Sequence, residues 1–303
     1  MTKALVTGAS GFVGRHLVRH LEECGDYVFP VDRSNGGVDM TDSTAVEALL
    51  KSVRPEVVYH LAGDSDVGKS WDHPRETFVA NAIGTLNVLH ASVSAGVARV
   101  LTVSSADIYG RVTEDDLPIS ESSPLRPVSP YAASKVAVDF LALQSYLGHG
   151  LAVIRARPFN HIGPGQREDF VAPAIAKRIA LAELEGSDCV KVGNLAPRRD
   201  FTDVRDVVRA YRLLMEKGEP GEAYNVCSGH DIAIRELAVR LAEMSTKKIR
   251  LVSDPALQRP VDIPVLRGDP TKLQDATGWR PLIPLDQTLS EILEEWRWRV
   301  RRR

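Results

Sequence analysis

Cysteine is scarce in this 303-residue chain. Cys24, Cys189 and Cys227 are far apart and odd in number, which leaves no disulfide framework and no Cys-x-x-Cys spacing, so no metal is expected. No apolar run approaches the ~20 residues that span a bilayer, and no membrane role is expected. Neither sign of charge dominates. Lys and Arg number 38 against 40 Asp and Glu, for a net charge of −2, and this excludes the electrostatic footprint of a nucleic-acid binder. The chain passes from Met1-Thr2-Lys3 straight into a strand pattern, so no signal peptide is expected and a cytoplasmic location is. No internal repeat is present. The length suits one large domain or two modest ones.

What the chain does have begins at its first strand, Lys3 to Thr7. There follow Gly8-Ala-Ser-Gly11-Phe12-Val13-Gly14 and a helical pattern that Gly25 stops. A strand, a glycine turn and a helix in that order form a pyrophosphate site. Gly8 allows the turn, Gly11 lets the backbone approach phosphate, and Gly14 lets helix and strand pack closely. Phe12 and Val13 open the helix, whose free N–H groups and positive dipole end suit an anion. Asp32 ends the second strand (Tyr27 to Val31). It suits the adenosine ribose hydroxyls and repels a 2′-phosphate, which favours NAD(H). Arg33 beside it does the opposite by pairing with that phosphate, so NADP(H) stays open. Asp39-Met40 falls where a further short strand would end, placing Asp39 at the adenine. The strand Glu56 to Leu61 runs into Ala62-Gly63, where small residues let a cofactor come close. His60 there reads as a packed histidine.

A tyrosine and a lysine four apart, Tyr131 and Lys135, share one helix face. An ammonium beside a phenol favours the phenolate and lowers its pKa from about 10. The strand Arg99 to Val103 delivers Ser104, Ser105 and Asp107 to the carboxyl end of the sheet, where doubly wound sheets bind ligands. Ser105 is placed to hold the substrate oxygen that exchanges a proton with Tyr131. The helix after Tyr131 is expected to bury Val136, Phe140, Leu143 and Leu147. The long helix Pro74 to Ser94 should do the same with Phe78, Ala82, Ile83, Leu86, Leu89 and Val93. Asn81 within it either bonds backbone or joins the site.

Alternating strands and helices up to about residue 160 predict an α/β fold, a Rossmann-type doubly wound parallel sheet. Residues 1–160 form the dinucleotide-binding domain, and 200–228 return to it. Residues 161–199 and 229–303 form a smaller, discontinuous C-terminal substrate-binding domain.

The chain resembles the extended short-chain dehydrogenase/reductase family. The residues that carry the resemblance are Gly8-x-x-Gly11-x-x-Gly14, Asp32, Asn81, Ser105, Tyr131-x-x-x-Lys135 and the Arg-x-Phe-Asn160-x-x-Gly-Pro loop. Within it the chain is most similar to the branch that works on GDP-sugars, the 4,6-dehydratases and the 4-keto-6-deoxy reductases. It is more similar to the reductases, in the stretches 159–166, 191–195, 199–206, 224–229 and 259–262. The resemblance implies that a nucleoside-diphosphate sugar, a GDP-sugar favoured, is the partner. Asn160 contacts it, Arg199 and Arg259 hold the diphosphate, and Asp262 holds the guanosine ribose. It also implies a homodimer through a four-helix bundle built on the helices at 74–94 and 131–147. Dehydratases usually carry a glutamate where this chain has Asp107, one methylene shorter. The reading favoured is net reduction with Tyr131 as the acid. The alternatives are a dehydratase or 4-epimerase that cycles bound NAD, and a dinucleotide sensor without turnover.

Overall fold

The computed structural model describes residues 1–33, 37–257 and 263–302. Its first half alternates strand and helix: β1 (Lys3–Thr7), α1 (Phe12–Glu23), β2 (Tyr27–Val31), α2 (Ser43–Val53), β3 (Val57–His60), α3 (Pro74–Phe78), α4 (Gly84–Ala95), β4 (Arg99–Val103), α5 (Pro130–His149) and β5 (Val153–Pro158). A parallel six-stranded sheet of order β2-β1-β3-β4-β5-β9 results, with β9 (Ala223–Val226) contributed from far along the chain. The central strands are buried on both faces. Leu5, Val6, Val58, Val100, Leu101, Val153 and Ile154 are fully enclosed, as helices on both sides of a parallel sheet require.

Pro30 lies within β2, and β2 is an edge strand, so the missing N–H costs the ladder nothing. Among the described residues, 37–42 hold no strand where a short one was expected before α2. Asp39 Oδ1 accepts from the Thr41 N–H at 2.9 Å and from Thr41 Oγ1 at 2.8 Å, and Asp42 caps α2 by accepting from the Ala45 N–H at 3.0 Å. These side-chain bonds compete with a strand ladder and win.

A further correction concerns the two long helices. α5 buries Ala132, Ser134, Lys135, Val138, Asp139, Ala142 and Ser145, while Phe140 is 54% and Leu147 72% exposed. Phe78, Val79, Ile83, Leu86 and Val93 are likewise exposed. Ala82 and Leu89 are buried, but much of each apolar stripe faces outward because the inner faces carry small and polar residues that fit against the sheet and the site. The helical stretch Pro74–Ala95 is, by length and composition, long and apolar enough to cross a membrane, although the sequence shows no continuous apolar run of that length. Its inner face is packed in the fold, with Asn81, Thr85 and Ser92 buried and hydrogen-bonded.

Beyond β5 the chain builds a second layer. Its elements are β6 (Asn160–Ile162), α6 (Val171–Glu185), β7 (Cys189–Val192), β8 (Arg198–Asp203), β10 (Asp231–Ala233), α8 (Ile234–Glu243), β11 (Arg250–Ser253), β12 (Val265–Leu266) and α10 (Leu285–Val300), while α7 (Val204–Lys217) and α9 (Thr271–Thr277) pack on the large sheet. β10, β8 and β12 form a small sheet, with β6 also on β8, and β11 pairs β7. Ile175, Ile179, Leu237, Leu241, Leu289 and Ile292 fill a separate core there. The expected boundaries shift at two places. Residues 200–203 lie in the small sheet, whereas Leu273 and Trp279 lie in the core of the large one. α7 needs cover on its outer face, and Trp279 supplies it, its Nε1 donating to Asp206 O at 2.9 Å.

Candidate active site

The glycine turn is shaped by close approach. Gly8 has φ +70°, and a Cβ there would sit 2.8 Å from the Ala62 backbone nitrogen. A Cβ on Gly14 would collide with the Gly8 carbonyl. Gly11 is the N-cap of α1 and offers no side chain, and the first turn holds no acidic residue. The N–H groups of Phe12 and Val13 therefore head a helix with no acidic residue in its first turn, a cradle for a dinucleotide diphosphate. The Ala9 N–H donates to Val31 O at 3.2 Å, which sets Asp32 beside the turn. Asp32, Ser10, Arg15 and Arg19 line a cleft of about 390 Å³ there. Arg33 is exposed and 3.8 Å from Asp39. Met40 is buried: its carbonyl accepts from Asn87 Nδ2 at 2.9 Å and its Cβ packs on Gly84, so it supports the wall from behind. The Leu61 N–H donates to Thr7 O and the Ala62 N–H to Thr7 Oγ1, which carries the backbone of 61–63 across the turn.

His60, at the end of β3, is the packed histidine expected. Its ring bonds Thr7 Oγ1 at 2.8 Å and Thr85 Oγ1 at 3.1 Å, and burial pushes its pKa down to about 3.

Tyr131 stands in the first turn of α5, whose N-cap Ser129 accepts from the Ala132 N–H at 3.1 Å, with Pro130 at the first helical position. Ser105 lies close enough to act on the Tyr131 hydroxyl, and the Tyr131 backbone N–H donates to Ser70 Oγ at 3.2 Å. Ser105 also caps the short turn Ala106–Tyr109, accepting from the Asp107 N–H at 3.2 Å. Lys135 Nζ donates to Val103 O at 2.9 Å and lies 5.9 Å from the Tyr131 ring centroid. Ser104 Oγ donates to Lys135 O at 2.9 Å, stitching the end of β4 to the helix. The four residues expected to do the chemistry are thus brought together.

Their electrostatics depart from expectation. Burial, then the charge of Asp107, raise the pKa of Tyr131 strongly, against the lowering effect of Ser105. The ammonium donates to the Val103 carbonyl and lies near the ring. Burial brings the Lys135 pKa down to about 8, against the opposing charge of Asp64. Tyr131 is held as a protonated donor.

Asn81 bonds backbone, and in doing so braces the loop beside the site. It sits in a π turn, Val79–Ile83, between α3 and α4. Its Oδ1 accepts from the Asp64 N–H at 2.7 Å. Its Nδ2 donates to Asp64 O at 3.1 Å and to Ser134 Oγ at 2.8 Å. Ser134 Oγ in turn donates to Tyr131 O at 2.7 Å. The wide turn swings Asn81 inward to clasp the loop after β3 against α5, a use often made of π turns at functional sites. A Cβ on Gly63 would meet Asn81 Oδ1 at 2.5 Å.

Two turns beyond Tyr131 on the same face, the fully buried Asp139 accepts from Arg155 Nη1 at 2.7 Å and from Arg157 Nη2 at 2.8 Å. Arg157 Nη1 donates to the Tyr109 hydroxyl at 3.0 Å, and Tyr109 donates to Asn225 Oδ1 at 2.7 Å. This network locks α5, β5, β9 and the turn carrying Asp107. Nothing in spacing alone marks it.

On the opposite rim, Asn160 is exposed at the start of β6 and pairs in register with Phe201 on β8. Arg199 lies two residues from Phe201, half-buried, with its Nη1 donating to Arg198 O at 2.8 Å. Arg259 and Asp262 lie outside the described residues. The charge-dense stretch around Arg199 proves mostly structural. Asp200 is buried and accepts from the N–H groups of Ser228, Gly229 and Gly268, and from Ser228 Oγ. Asp203 accepts from Arg205 and Thr288, and Asp206 from the N–H groups of Leu282 and Ile283.

With this geometry in view, three comparisons place the chain. The profile of the GDP-mannose 4,6 dehydratase family matches residues 36–292. A GDP-6-deoxy-D-mannose reductase of Pseudomonas aeruginosa is 40% identical over 306 residues, covering 99% of both chains. A GDP-6-deoxy-D-talose 4-dehydrogenase of Aggregatibacter actinomycetemcomitans is 31% identical over 91% of each. Among solved structures, RMD from Pseudomonas aeruginosa complexed with NADPH superposes with a TM-score of 0.91 at 39% identity, covering 98% of this chain and all of that one. The chain belongs to the GDP-mannose 4,6-dehydratase-like family of extended short-chain dehydrogenases/reductases.

Proposed function

We propose that this family member reduces the C4 keto group of a GDP-linked 4-keto-6-deoxy sugar at the expense of NAD(P)H. The observation that carries the reading is the grouping of Ser105, Tyr131 and Lys135 at the same sheet edge as the glycine turn. Full-length similarity to a GDP-6-deoxy-D-mannose reductase supports the substrate class.

Gly8, Gly11, Gly14, Phe12 and Val13 hold the dinucleotide diphosphate, Asp32 and Arg33 flank the adenosine ribose, and Ala62, Gly63 and Lys135 line the nicotinamide end. When bound, the reduced nicotinamide supplies the hydride that turns the carbonyl into an alcohol. Ser105 Oγ hydrogen-bonds the substrate oxygen, and Tyr131 gives its proton to that oxygen as charge develops there. The raised pKa of Tyr131 suits this direction, because the phenol stays protonated until it faces an alkoxide. The buried Lys135 keeps a positive charge close to the donor as it turns into a phenolate.

The layer built on β8 and α6 receives the nucleotide sugar, with Asn160 and Arg199 on its rim. The exposed Phe78, Ile83, Leu86, Phe140 and Leu147 suit a four-helix contact with a second copy, and the protein works in the cytoplasm. A second reading keeps a 4,6-dehydratase or 4-epimerase, because Asp107 puts a carboxylate beside Tyr131. One assay separates them. Stoichiometric loss of reduced-nicotinamide absorbance with the GDP-linked 4-keto-6-deoxy sugar supports the reductase. Turnover of GDP-mannose without added reduced cofactor overturns it.

A further inference from the structure

We propose that Asp64 is the counter-charge of the Lys135 ammonium: a positioning residue that acts on the proton donor Tyr131 through Lys135. The idea rests on the reading of Tyr131 as that donor. Asp64 belongs to no motif and lies in the loop that follows β3, yet the fold takes care to fix it. Asn81 grips its backbone on both sides, accepting from its N–H and donating to its carbonyl. Its own carboxylate is held at both oxygens, Oδ1 by the Asp66 N–H at 3.1 Å and Oδ2 by Thr77 Oγ1 at 3.2 Å. The neighbouring Gly63 approaches the lysine so closely that a Cβ on it would lie 3.8 Å from Lys135 Nζ. Asn81 also bonds Ser134, the residue before Lys135, so one side chain ties the carboxylate's loop to the ammonium's helix.

Chemistry explains why such a pairing is needed. Lys135 is buried, and burial disfavours the charged form of an amine. The groups that face the pair are few. His60 at the end of β3 is neutral, Tyr131 is protonated, and Ser105 and Asp107 face Tyr131 from the turn after β4, with Tyr211 of α7 behind it. Asp64 is the group that opposes desolvation at Lys135. Its charge also makes Tyr131 harder to ionise, so it keeps the ammonium charged and the phenol protonated at once. Both states are those a proton donor needs before the reduction.

The test reads the lysine directly. The protein is reductively methylated with ¹³C-formaldehyde, and the dimethyl-lysine signal that vanishes in Lys135→Arg is titrated by NMR without substrate or cofactor. In Asp64→Asn the ammonium midpoint should fall by roughly half a pH unit or more, and Asp64→Glu should restore it. Asp64→Gln serves in place of the shorter amide if thermal melting shows the latter misfolded. A midpoint unchanged in the amide variants, or lowered equally in Asp64→Glu, overturns the proposal. Because no sugar is present, this outcome is independent of whether the enzyme proves to be a reductase.

Discussion

Asn81 and Ser134 meet side chain to side chain at 2.8 Å, and through Ser134 Oγ the contact ends on the carbonyl of Tyr131. An asparagine in one helix thereby sets the position of the proposed acid in another. Asn81→Ala removes three hydrogen bonds, two to the part-buried backbone of Asp64 and one to the buried Ser134. It should cost about 2–4 kcal/mol in stability and lower kcat more than it raises KM. Denaturant melts and steady-state kinetics check this, and an unaltered kcat would remove Asn81 from the site's supports.

Tyr131→Phe deletes the proton donor and little else. Activity should fall by about 10²–10⁴-fold, while the far-ultraviolet spectrum and melting temperature stay close to the parent's. Activity within twofold of the parent would mean that another group supplies the proton.

Cofactor preference is tested at Arg33, which is exposed beside the cleft lined by Asp32. If it pairs with a 2′-phosphate, Arg33→Ala should weaken NADPH binding about tenfold or more and leave NADH binding nearly unchanged. Fluorescence titration with both cofactors reads the difference. Equal losses would assign Arg33 to general charge attraction.

Acid should loosen the fold at β3. The His60 pKa is depressed to about 3 in the folded protein, against 6.5 for an ordinary histidine. Between those values the unfolded chain binds the proton and the native one does not. The stability that His60 contributes is therefore fully present above pH 6.5 and is lost as pH falls toward 3. At pH 5 the cost is about 2 kcal/mol. Melting His60→Gln and the parent across this range should show the variant losing less stability on acidification, and parallel curves would refute the assignment.

Which parts of this could be seen in the sequence follows from the range of the interactions. The glycine turn and the Tyr131–Lys135 pair declare themselves because their geometry is local: a turn of seven residues, and two side chains four apart on a helix. The outward face of α5 misleads for the opposite reason. Phe140 and Leu147 have core-like spacing, and only the sheet's demand for small and polar neighbours puts Ala142 and Asp139 inside instead. Asp64 and Asp139 carry no signature, because their partners lie on elements distant in the chain. Asp200, Asp203 and Asp206 look like a ligand-binding run, but each is consumed by backbone N–H groups or side chains of the fold. The Lys135–Tyr131 pair was legible as a contact, whereas the direction of the tyrosine's shift was not. Burial depth decides that direction, and it has no local signal.

The proline in β2 has an effect on the protein's company as well as on its fold. Tyr27 donates its N–H, and Val31 offers its carbonyl, toward the β1 side. In a strand the sides alternate, so the N–H that Pro30 lacks would have pointed outward. A foreign strand arriving at that margin finds a gap in the row of donors it needs. The open border of the large sheet is thus a poor template for amyloid-like stacking, and protection against clumping is written into a single ring.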